Sequence, residues 1–480
     1  MKTASVHLTI ILWIGLIVSS CISDSISTSS SDILTFSRDT VNFDTVFTDL
    51  GTPTARLVVS NRASKGIVIS SIRLKNPDSR FQINVDGVSA KVFNDVEIWK
   101  QDSIYIFIEC LLPATQSDEP YRIEDELEFE TNGVRQSVVL EAYGQNVTRL
   151  KAERISADRR LTAERPYVVF DSLVVEKDAV LRIDPDVRLL FHDGASLIVH
   201  GRVEAVGAPG KLIQLRGDRL DNVLPNVAYD ILAGQWEGMR ISRESFGNRL
   251  EYVDMRSTKT GLMLDSCGDL SKSKLLLRNS WLHNSQGNVL SAKYAKTEAY
   301  GVCFSESADA VVNLYGGIHS FIQCTFANNY LFSAITNPLV CLYWCLPKHA
   351  EENPRNPNPL MVADFENSII YGITNDLNEG VLTDTKVFFR NVAMKSKGND
   401  DDNFIDCLWE CDPLFLTDRP AYYFNYHVLP DSPVIGKGNP SFVTSETLTD
   451  IDGVNRLTVT PDGLPLLGAY AAPQQPEENR

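Results

Sequence analysis

A short motif recurs about every 22 residues through the second half of the chain: an apolar residue, any residue, then Asn or Cys. Its last positions are Asn279, Cys324, Cys345, Asn367 and Asn391, with a weaker match at Cys303, and the steps from Asn279 through Cys303 to Asn391 are 24, 21, 21, 22 and 24 residues. A period in this range is typical of solenoids. Equivalent side chains in neighbouring coils lie about 4.8 Å apart, so the sequence predicts a stack in which the Asn amides form a ladder.

The cysteines of this motif are predicted to be buried, reduced thiols that pack as small apolar groups. Side chains in register point the same way, so a disulfide between successive coils would need a twisted backbone. If Cys324 lies in an amide ladder, its replacement by Asn is expected to be tolerated. The pairs Cys341/Cys345 and Cys407/Cys411 share a C-x3-C spacing, which is a poor match to zinc sites. Their disulfide state stays open at this point.

Helical periodicity is nearly absent beyond residue 150. Short runs rich in Val, Ile and Leu are bounded by Gly, Asp-Gly or Pro-Gly, as in residues 180–183, 187–191, 196–199 and 212–215. Such runs are typical of buried strands with tight corners. They favour a coiled β-solenoid over a sandwich.

Several segments resemble bacterial right-handed parallel β-helix repeat proteins: residues 183–187, 193–201, 205–207, 234–241 and 365–372. The segments 412–415, 426–438, 450–456 and 467–470 resemble the closing segment of that family. The resemblance implies a pectate-lyase-like solenoid over residues 150–472 with a C-terminal cap. It implies no single activity, because the family includes pectin-active lyases and hydrolases, epimerases and adhesins.

Residues 35–148 show a different pattern, short alternating strands separated by turn signals such as residues 76–78 and 131–133. About seven strands over roughly a hundred residues predict an Ig-like β-sandwich. Residues 43–47, 57–61, 128–133 and 142–145 resemble hydin-type Ig-like modules, which implies a spacer or a protein-binding element. The predicted fold class is therefore all-β, with an Ig-like sandwich followed by a right-handed parallel β-helix.

The first 20 residues are interpreted as a signal peptide, with Lys2 before an apolar run at residues 8–18 that is too short to span a membrane. The sequence Val18-Ser19-Ser20-Cys21 resembles a bacterial lipobox, which implies cleavage before Cys21 and attachment of lipid to its thiol. Residues 21–34 are Ser-rich and are interpreted as a flexible tether. Ile22 replaces the Asp that retains some lipoproteins in the inner membrane, so outer-membrane anchoring is expected, with the leaflet open.

The chain has 45 basic and 62 acidic residues, a net charge of −17, which argues against nucleic acid as a partner. His283 and His319 are candidate bases, but corner positions in the coils are the favoured interpretation. Residues 400–403 (DDDN) offer oxygen ligands for Ca²⁺ but are favoured as a solvated loop. Trp236, in the Trp-Glu-Gly motif, is expected to pack a corner rather than to stack on a sugar, and residues 347–359 are expected to form an exposed insertion.

No catalytic, metal-binding or cofactor-binding residue is predicted. The expected function is that of a non-catalytic lipoprotein, anchored in the envelope, whose β-helix binds a glycan or an envelope protein. The alternatives are a polysaccharide lyase or glycoside hydrolase that acts in a groove of the β-helix, and a structural envelope component. Carboxylates and a base that converge within hydrogen-bond reach would favour an enzyme. Several Asp-Ser/Thr-apolar triplets, such as residues 39–41 and 102–104, resemble a bacterial O-glycosylation sequon, and their modification stays open.

Overall fold

The computed structural model describes residues 25–224, 227–343, 361–378, 382 and 385–476. Chain contacts divide the protein into two compact units, Met1–Asn146 and Val147–Arg480. Cys21, the predicted lipidation site, and the predicted insertion at residues 347–359 lie outside the described residues. Within the described residues, no helix has the length and apolar character that crossing a membrane requires.

The first unit is a β-sandwich of two sheets. One sheet has the strand order β1-β3-β9-β5-β6 and the other β2-β11-β10-β4-β7, with β8 also paired to β4. The strands are β1 Leu34–Phe36, β2 Thr40–Phe47, β3 Ala55–Asn61, β4 Ile67–Leu74, β5 Phe81–Val85, β6 Val88–Ala90, β7 Val92–Phe93, β8 Val96–Ile98, β9 Ser103–Cys110, β10 Tyr121–Thr131 and β11 Val134–Gln145.

Alternation of side chains explains how these strands build a core. In β9, Ile106, Ile108 and Cys110 are buried, whereas Tyr105 and Phe107 between them are exposed. A period of two places every second side chain on the inner face of its sheet. Pairing is antiparallel except between β2 and β11, which run parallel. This unit confirms the predicted Ig-like sandwich.

The second unit is a parallel β-helix. Its strands are β12 Thr148–Ile155, β13 Arg159–Leu161, β14 Tyr167–Val175, β15 Val180–Ile183, β16 Arg188–Phe191, β17 Ser196–Val199, β18 Arg202–Val206, β19 Ile213–Gly217, β22 Gly238–Ile241, β23 Asn248–Glu251, β24 Val253–Thr258, β25 Leu262–Leu264, β26 Leu275–Arg278, β27 Trp281–Ser285, β28 Leu290–Tyr300, β29 Cys303–Ser307, β30 Val312–Ile322, β31 Thr325–Asn328, β32 Val340–Tyr343, β33 Met361–Glu366, β34 Ile369–Gly372, β35 Lys386–Arg390, β36 Ala393–Met394 and β37 Phe404–Ile405. Two further strands, β20 Asn222–Leu224 and β21 Val227–Ala228, form a separate antiparallel pair. Short 3-10 helices cover Tyr229–Ile231 and Pro440–Phe442. The predicted right-handed parallel β-helix class is confirmed.

Each coil contributes strands to three sheet faces. The face that concerns function, here called face 1, stacks β16, β19, β24, β27, β29, β31, β34 and β36 in parallel. Its alternate residues point inward, among them Met255, Leu282 and Phe304, which belong to the apolar core. The residues between them therefore point away from the core.

Stacked aromatic rings fill the interior of the C-terminal coils of the β-helix. Phe321, Phe365, Phe389 and Phe404 stack in consecutive coils, with ring centroids 5.0, 4.7 and 4.8 Å apart. Identical side chains recur at one register position because successive coils repeat the same local geometry. Such stacked pairs stabilise a core by about 1 kcal/mol each beyond their buried area.

The predicted Asn/Cys stack is correct for the corner position of the Asn residues and wrong for the cysteines. The predicted amide ladder is not continuous, because the Asn279 amide donates to the Tyr252 hydroxyl and the Asn367 amide to the backbone oxygen of Asn439. Asn279, Gln323, Asn367 and Asn391 occupy equivalent corners, all with positive φ, and share the corner with Gly301. Cys303 instead pairs with Thr325 on face 1 and packs outside the coil, while Cys324 packs in the core. The coil after Gln323 spans 44 residues, because Ile322 pairs with Glu366, so the 21-residue steps were coincidental. Cys345 lies outside the described residues.

The sequence predicted that the C-terminal segment, residues 412–476, caps an end of the β-helix, but the structure places it elsewhere. It lies along the solenoid, where Tyr426, Ile451 and Tyr470 pack with Tyr252 and Cys303 of earlier coils. Arg456 is fully buried and donates to the backbone oxygens of Thr447, Gly468 and Ala469. The segment therefore covers part of face 1 and the adjoining corner.

Candidate functional site

A cavity of about 260 Å³ opens where the C-terminal segment meets face 1. We call it the flank pocket. Its floor contains Arg256 of β24, Trp281, His283 and Asn284 of β27, and Glu306 of β29, together with Asp230 from the segment between β21 and β22. Its walls are Tyr330, Leu331 and Phe332, which follow β31, and Tyr422, Tyr423 and Phe424 of the C-terminal segment. Three consecutive coils thus place polar groups beneath aromatic walls.

Three ion pairs hold the polar floor together. Asp230 accepts from Arg216 and Arg256, both at 2.9 Å. Arg256 also pairs with Asp254, and in the next coil Trp281 lies beside Asp254 and His283 beside Arg256. In the Arg256–Asp254 pair, burial disfavours the charged form of both side chains. Even so, the two aspartates raise the pKa of Arg256, and Arg256 and His283 hold the pKa of Asp254 well below its usual range. The floor therefore carries fixed, mutually compensated charges.

His283 is held between a carboxylate and an indole. Its Nε2 lies 3.1 Å from Oδ1 of Asp254, and its ring stacks on Trp281 with centroids 3.8 Å apart. Trp281 is fixed in turn by its Nε1, which donates to Oγ of Ser305 at 2.9 Å. Burial lowers the pKa of His283 below its ordinary value, although Asp254 opposes the shift. The imidazole is consequently neutral at neutral pH.

Glu306 lies at the deep end of the pocket and is 3% exposed. Its φ of +47° is unusual for a residue with a long side chain, and Ser257 and Asn284 share this conformation in the two preceding coils. Oε1 accepts a hydrogen bond from the hydroxyl of Tyr426, and Oε2 is fully buried. Burial raises the pKa of Glu306 to about 7, with Tyr426 opposing the shift.

Hydrogen bonds to the backbone hold the walls and the floor of the pocket in place. Arg419 donates to the backbone oxygens of Asn329 and Tyr330 at 3.1 and 3.2 Å. Asn284 donates to the backbone oxygen of Asp230 at 2.6 Å. Phe332 and Tyr422 stay partly exposed, at 43% and 37%. The pocket thus combines a rigid polar floor with an aromatic rim that solvent reaches.

The structure separates the two histidines that the sequence singled out. His283 lies on the outer side of face 1 in the flank pocket, not at a plain corner. His319 faces the interior of the β-helix and is 1% exposed, with Nε2 2.8 Å from the backbone oxygen of Gly316. Burial lowers its pKa to about 4. His319 therefore has a packing role.

Trp236 has the packing role that was predicted, but in the core of the β-helix rather than at a corner. It is 1% exposed, stacks on Phe191 with centroids 4.0 Å apart, and donates from Nε1 to the backbone oxygen of Arg256. This last bond supports the strand that carries the floor of the flank pocket. Trp236 itself does not line the pocket.

The acidic loop at residues 400–403 forms its own internal contacts. Asp400 accepts from Nε1 of Trp409, and Asp401 accepts from the backbone nitrogens of Asn403 and Phe404. Among the described residues, no group of three or more metal-ligating side chains is present. Cys341, Cys407 and Cys411 are free thiols, and Cys345 is outside the described part of the chain.

Sequence analysis missed most of the pocket, namely Asp230, Asp254, Arg256, Trp281 and Glu306. One signal was available, because Asp254/Arg256 and Trp281/His283 have the same spacing and lie 27 residues apart. In a solenoid such pairs share an outer face. The contributions of Tyr426 and the aromatic walls had no sequence signal, since they depend on where the C-terminal segment lies.

No protein-family model matches the sequence, and no curated protein matches it. Among solved structures, matches include the VesB protease of Vibrio cholerae, with 10% identity, 25% of this chain, 33% of that chain and a TM-score of 0.18. A protein of unknown function from Porphyromonas gingivalis W83 has 12% identity, covers 26% of this chain and 60% of its own, and has a TM-score of 0.18.

A family 123 glycoside hydrolase from Clostridium perfringens has 11% identity, covers 24% of this chain and 26% of its own, and has a TM-score of 0.16. In each of these three matches the chain spans less than two thirds of the matched structure. Such partial, distant similarities carry no argument about fold or activity.

Proposed function

We propose that this protein is an envelope-anchored lipoprotein whose β-helix binds a glycan in the flank pocket. The observation that carries the proposal is the combination of aromatic walls with a polar floor. Sugar rings present apolar faces that pack on aromatic side chains and hydroxyls that need hydrogen-bond partners. The aromatic side chains of this pocket are those of Tyr422, Tyr423 and Phe332. The hydrogen-bond partners lie on the floor, which Asp230, His283 and Asn284 line.

The charge of the floor favours a neutral sugar. Arg216 and Arg256 are both paired with aspartates, so the described residues of the floor offer no free guanidinium for a sugar carboxylate. Asn284 and the neutral ring of His283 remain as uncharged polar groups. Hexoses and N-acetylhexosamines fit this environment better than uronic acids.

The envelope anchor in this proposal rests on the lipobox at Cys21 and the Ser-rich tether at residues 21–34. A binding pocket on the β-helix fits an anchored protein that holds a glycan close to the membrane. The expected partners are the membrane, through the lipid, and a glycan. An envelope protein as the ligand, or a purely structural role, remains an outcome of the test below.

A glycan array tests the proposal with the mature chain in which Cys21 is replaced by Ser. Phe332→Ala and Tyr422→Ala remove exposed aromatic side chains from the rim, so folding should be preserved. Each is expected to weaken binding roughly fivefold to tenfold. Trp99→Ala is the matched control, because Trp99 is 49% exposed and belongs to the other unit. Equal binding by all three variants, or no glycan bound, contradicts the proposal.

Glycan cleavage in the same pocket is the second candidate function. One observation favours it: His283 and Glu306, from neighbouring coils, both line one cavity.

A further inference from the structure

The N-terminal segment is held against the β-sandwich from Ser25 onward. The backbone nitrogen of Ser27 donates to the oxygen of Gly66 at 2.8 Å, and the nitrogen of Gly66 donates to the oxygen of Ser25 at 3.1 Å. Ser27 is buried, with 5% of its surface exposed. Of the tether that the sequence predicts for residues 21–34, the part from Ser25 onward is therefore bound to the sandwich.

The predicted lipidation site, Cys21, lies four residues before Ser25. An extended chain spans at most about 3.6 Å per residue, so Cys21 lies within about 14 Å of Ser25. A lipid on this thiol would hold the end of the sandwich around Ser25 next to the membrane surface. We call this end the anchor end, and it consists of residues 25–26, 62–66 and 99–102.

The two turns of the anchor end are fixed to each other. Residues 62–66 connect β3 to β4, and residues 99–102 connect β8 to β9. The side chain of Asn61 is fully buried, and its Nδ2 donates to the backbone oxygens of Lys65 and Trp99 at 2.7 and 3.1 Å. The surface that these turns present is therefore preformed, and a ligand does not have to order it.

The anchor end exposes two large apolar side chains. Trp99 is 49% exposed and Ile26 is 40% exposed. Burial of such side chains at the boundary between headgroups and acyl chains drives peripheral binding to membranes. Tryptophan is enriched at this level because its ring is apolar and its N–H is polar. Among the described residues, Nε1 of Trp99 has no hydrogen-bond partner, so its N–H is available to a lipid headgroup.

Three exposed cations accompany this tryptophan in a chain whose net charge is −17: Arg62, Lys65 and Lys100. Arg62 and Lys65 have no ion-pair partner within the described part of the chain. The two turns carry one carboxylate, Asp102, and Glu97 lies in the adjoining strand. The anchor end is therefore locally positive. Each lysine or arginine close to an anionic bilayer strengthens binding about fivefold.

We infer that the anchor end docks on the anionic phospholipid surface of the membrane, with Trp99 among the headgroups and Arg62 and Lys65 against the phosphates. The inference rests on the envelope anchor of the proposed function, because the lipid at Cys21 brings this end to the bilayer. It adds a lipid-binding surface to a domain for which the sequence implied a spacer or a protein-binding element.

Matched controls come from the opposite end of the sandwich. β9 begins at Ser103 beside the anchor end and ends at Cys110. A strand rises about 3.3 Å per residue, so its far end lies roughly 23 Å away. Leu111 is 47% exposed there, and its backbone nitrogen donates to the oxygen of Arg80, which is an exposed cation.

Sedimentation with vesicles measures the contact without the lipid anchor, in the mature Cys21→Ser chain. Binding is expected to vesicles that contain phosphatidylglycerol but not to pure phosphatidylcholine, and to weaken as salt is added. Trp99→Ala is expected to weaken binding about tenfold, and Arg62→Gln about fivefold. Leu111→Ala and Arg80→Gln should bind like the parent chain. Equal binding by all four variants overturns the inference.

A second measurement holds the sandwich at a membrane whether or not Cys21 is acylated. A chain that begins at Ile22 carries an N-terminal hexahistidine tag and is tethered to vesicles through a nickel-chelating lipid. Brominated phosphatidylglycerol quenches tryptophan on contact, so it is expected to lower the fluorescence of the wild type and to leave that of Trp99→Phe unchanged. Quenching of both to the same extent, or of neither, overturns the inference.

The outcomes separate this inference from the proposed function. Palmitate labelling tests the anchor and the glycan array tests the flank pocket, and neither measurement depends on Trp99. Lipid contact in the tethered chain, together with an unlabelled Cys21, overturns the anchor alone. An anchored protein in which Trp99 stays unquenched overturns the docking surface alone. An envelope protein that binds through Trp99 in place of lipid also overturns it.

Discussion

Asn367 and Asn439 form reciprocal hydrogen bonds: Nδ2 of Asn367 donates to the backbone oxygen of Asn439 at 2.9 Å, and the nitrogen of Asn439 donates to Oδ1 of Asn367 at 2.8 Å. Asn367 is buried at a corner of the β-helix with a φ of +47°. Asn tolerates this conformation better than most residues. One side chain therefore both turns the coil and holds the C-terminal segment that builds a wall of the flank pocket.

Asn367→Gly is expected to destabilise the protein by about 1–3 kcal/mol, because it removes both hydrogen bonds while glycine keeps the backbone conformation. Chemical denaturation measures the free energy of unfolding. Asn391→Gly is the matched control. Asn391 occupies the same corner with a φ of +53°, and the described residues give its amide no hydrogen-bond partner. Equal losses in the two variants would show that the bonds to Asn439 contribute nothing.

The fold class was predictable because period and alternation are local properties. The residues of β9 alternate between buried and exposed, and the coils repeat the motif that ends at Asn279, Asn367 and Asn391. Placement within a coil was harder, since Gly301 and Gln323 fill the same corner without matching the motif. A shift of one residue moves a side chain from one side of a strand to the other. This is why Cys303 and Cys324 were wrongly placed together.

The pocket depended on contacts that sequence spacing does not encode. Asp254 and His283 lie 29 residues apart, and Glu306 and Tyr426 lie 120 apart. The first separation spans one coil with an insertion. The second depends on a segment that lies beside the solenoid, whereas the resemblance implied a cap. A pocket whose side chains are brought together by such long-range packing can be identified only from the three-dimensional structure.

Cys324→Asn is now expected to destabilise the protein, contrary to the expectation from an amide ladder. The Cys324 side chain packs in the apolar core and is fully buried, with its thiol donating to the backbone oxygens of Ala299 and Ile322. An amide there would bury a further polar atom in apolar surroundings and cost about 2–3 kcal/mol. Cys324→Ala is the control, which removes the thiol without adding a polar group. Thermal unfolding compares the two. A Tm for Cys324→Asn as high as that of Cys324→Ala would argue that the side chain faces a polar corner.

Native-state alkylation checks the same assignment without a mutation. Burial raises the pKa of Cys324 to about 12, so its thiolate is scarce and inaccessible at neutral pH. Cys303 is equally buried beneath the C-terminal segment. Both are expected to react only after denaturation, whereas the half-buried Cys267 reacts first. Rapid labelling of Cys303 in the native protein would mean that the C-terminal segment does not cover face 1.

Cys21→Ser is expected to abolish lipidation and release the protein from membranes, because the thiol is the predicted acylation site. Palmitate labelling and fractionation after a carbonate wash measure the two effects. Cys110→Ser is a suitable control, since Cys110 is a buried core residue of the sandwich with no predicted lipid. If the Cys21→Ser protein still sediments with membranes after the wash, the lipid anchor is not what holds it there.

Glu306 should make stability depend on pH in a direction opposite to that of most carboxylates. Its pKa rises from the usual 4.5 in the unfolded chain to about 7 in the folded protein. Below pH 4.5 both states are protonated, and the stabilising contribution is complete. Between these values the unfolded chain loses the proton first, so the free energy of unfolding falls as pH rises through the folded pKa.

The shift of 7 − 4.5 sets an upper limit on the order of 3 kcal/mol for this loss. Glu306→Gln keeps the shape and an acceptor for Tyr426 but cannot ionise. Its stability relative to the wild type should therefore increase between about pH 5 and about pH 8, as measured by denaturant unfolding. Glu237→Gln, at a more exposed carboxylate paired with Lys259, should leave the pH dependence of the wild type unchanged. Parallel pH profiles for the wild type and Glu306→Gln would mean that burial does not raise the pKa of the Glu306 carboxyl in the folded protein.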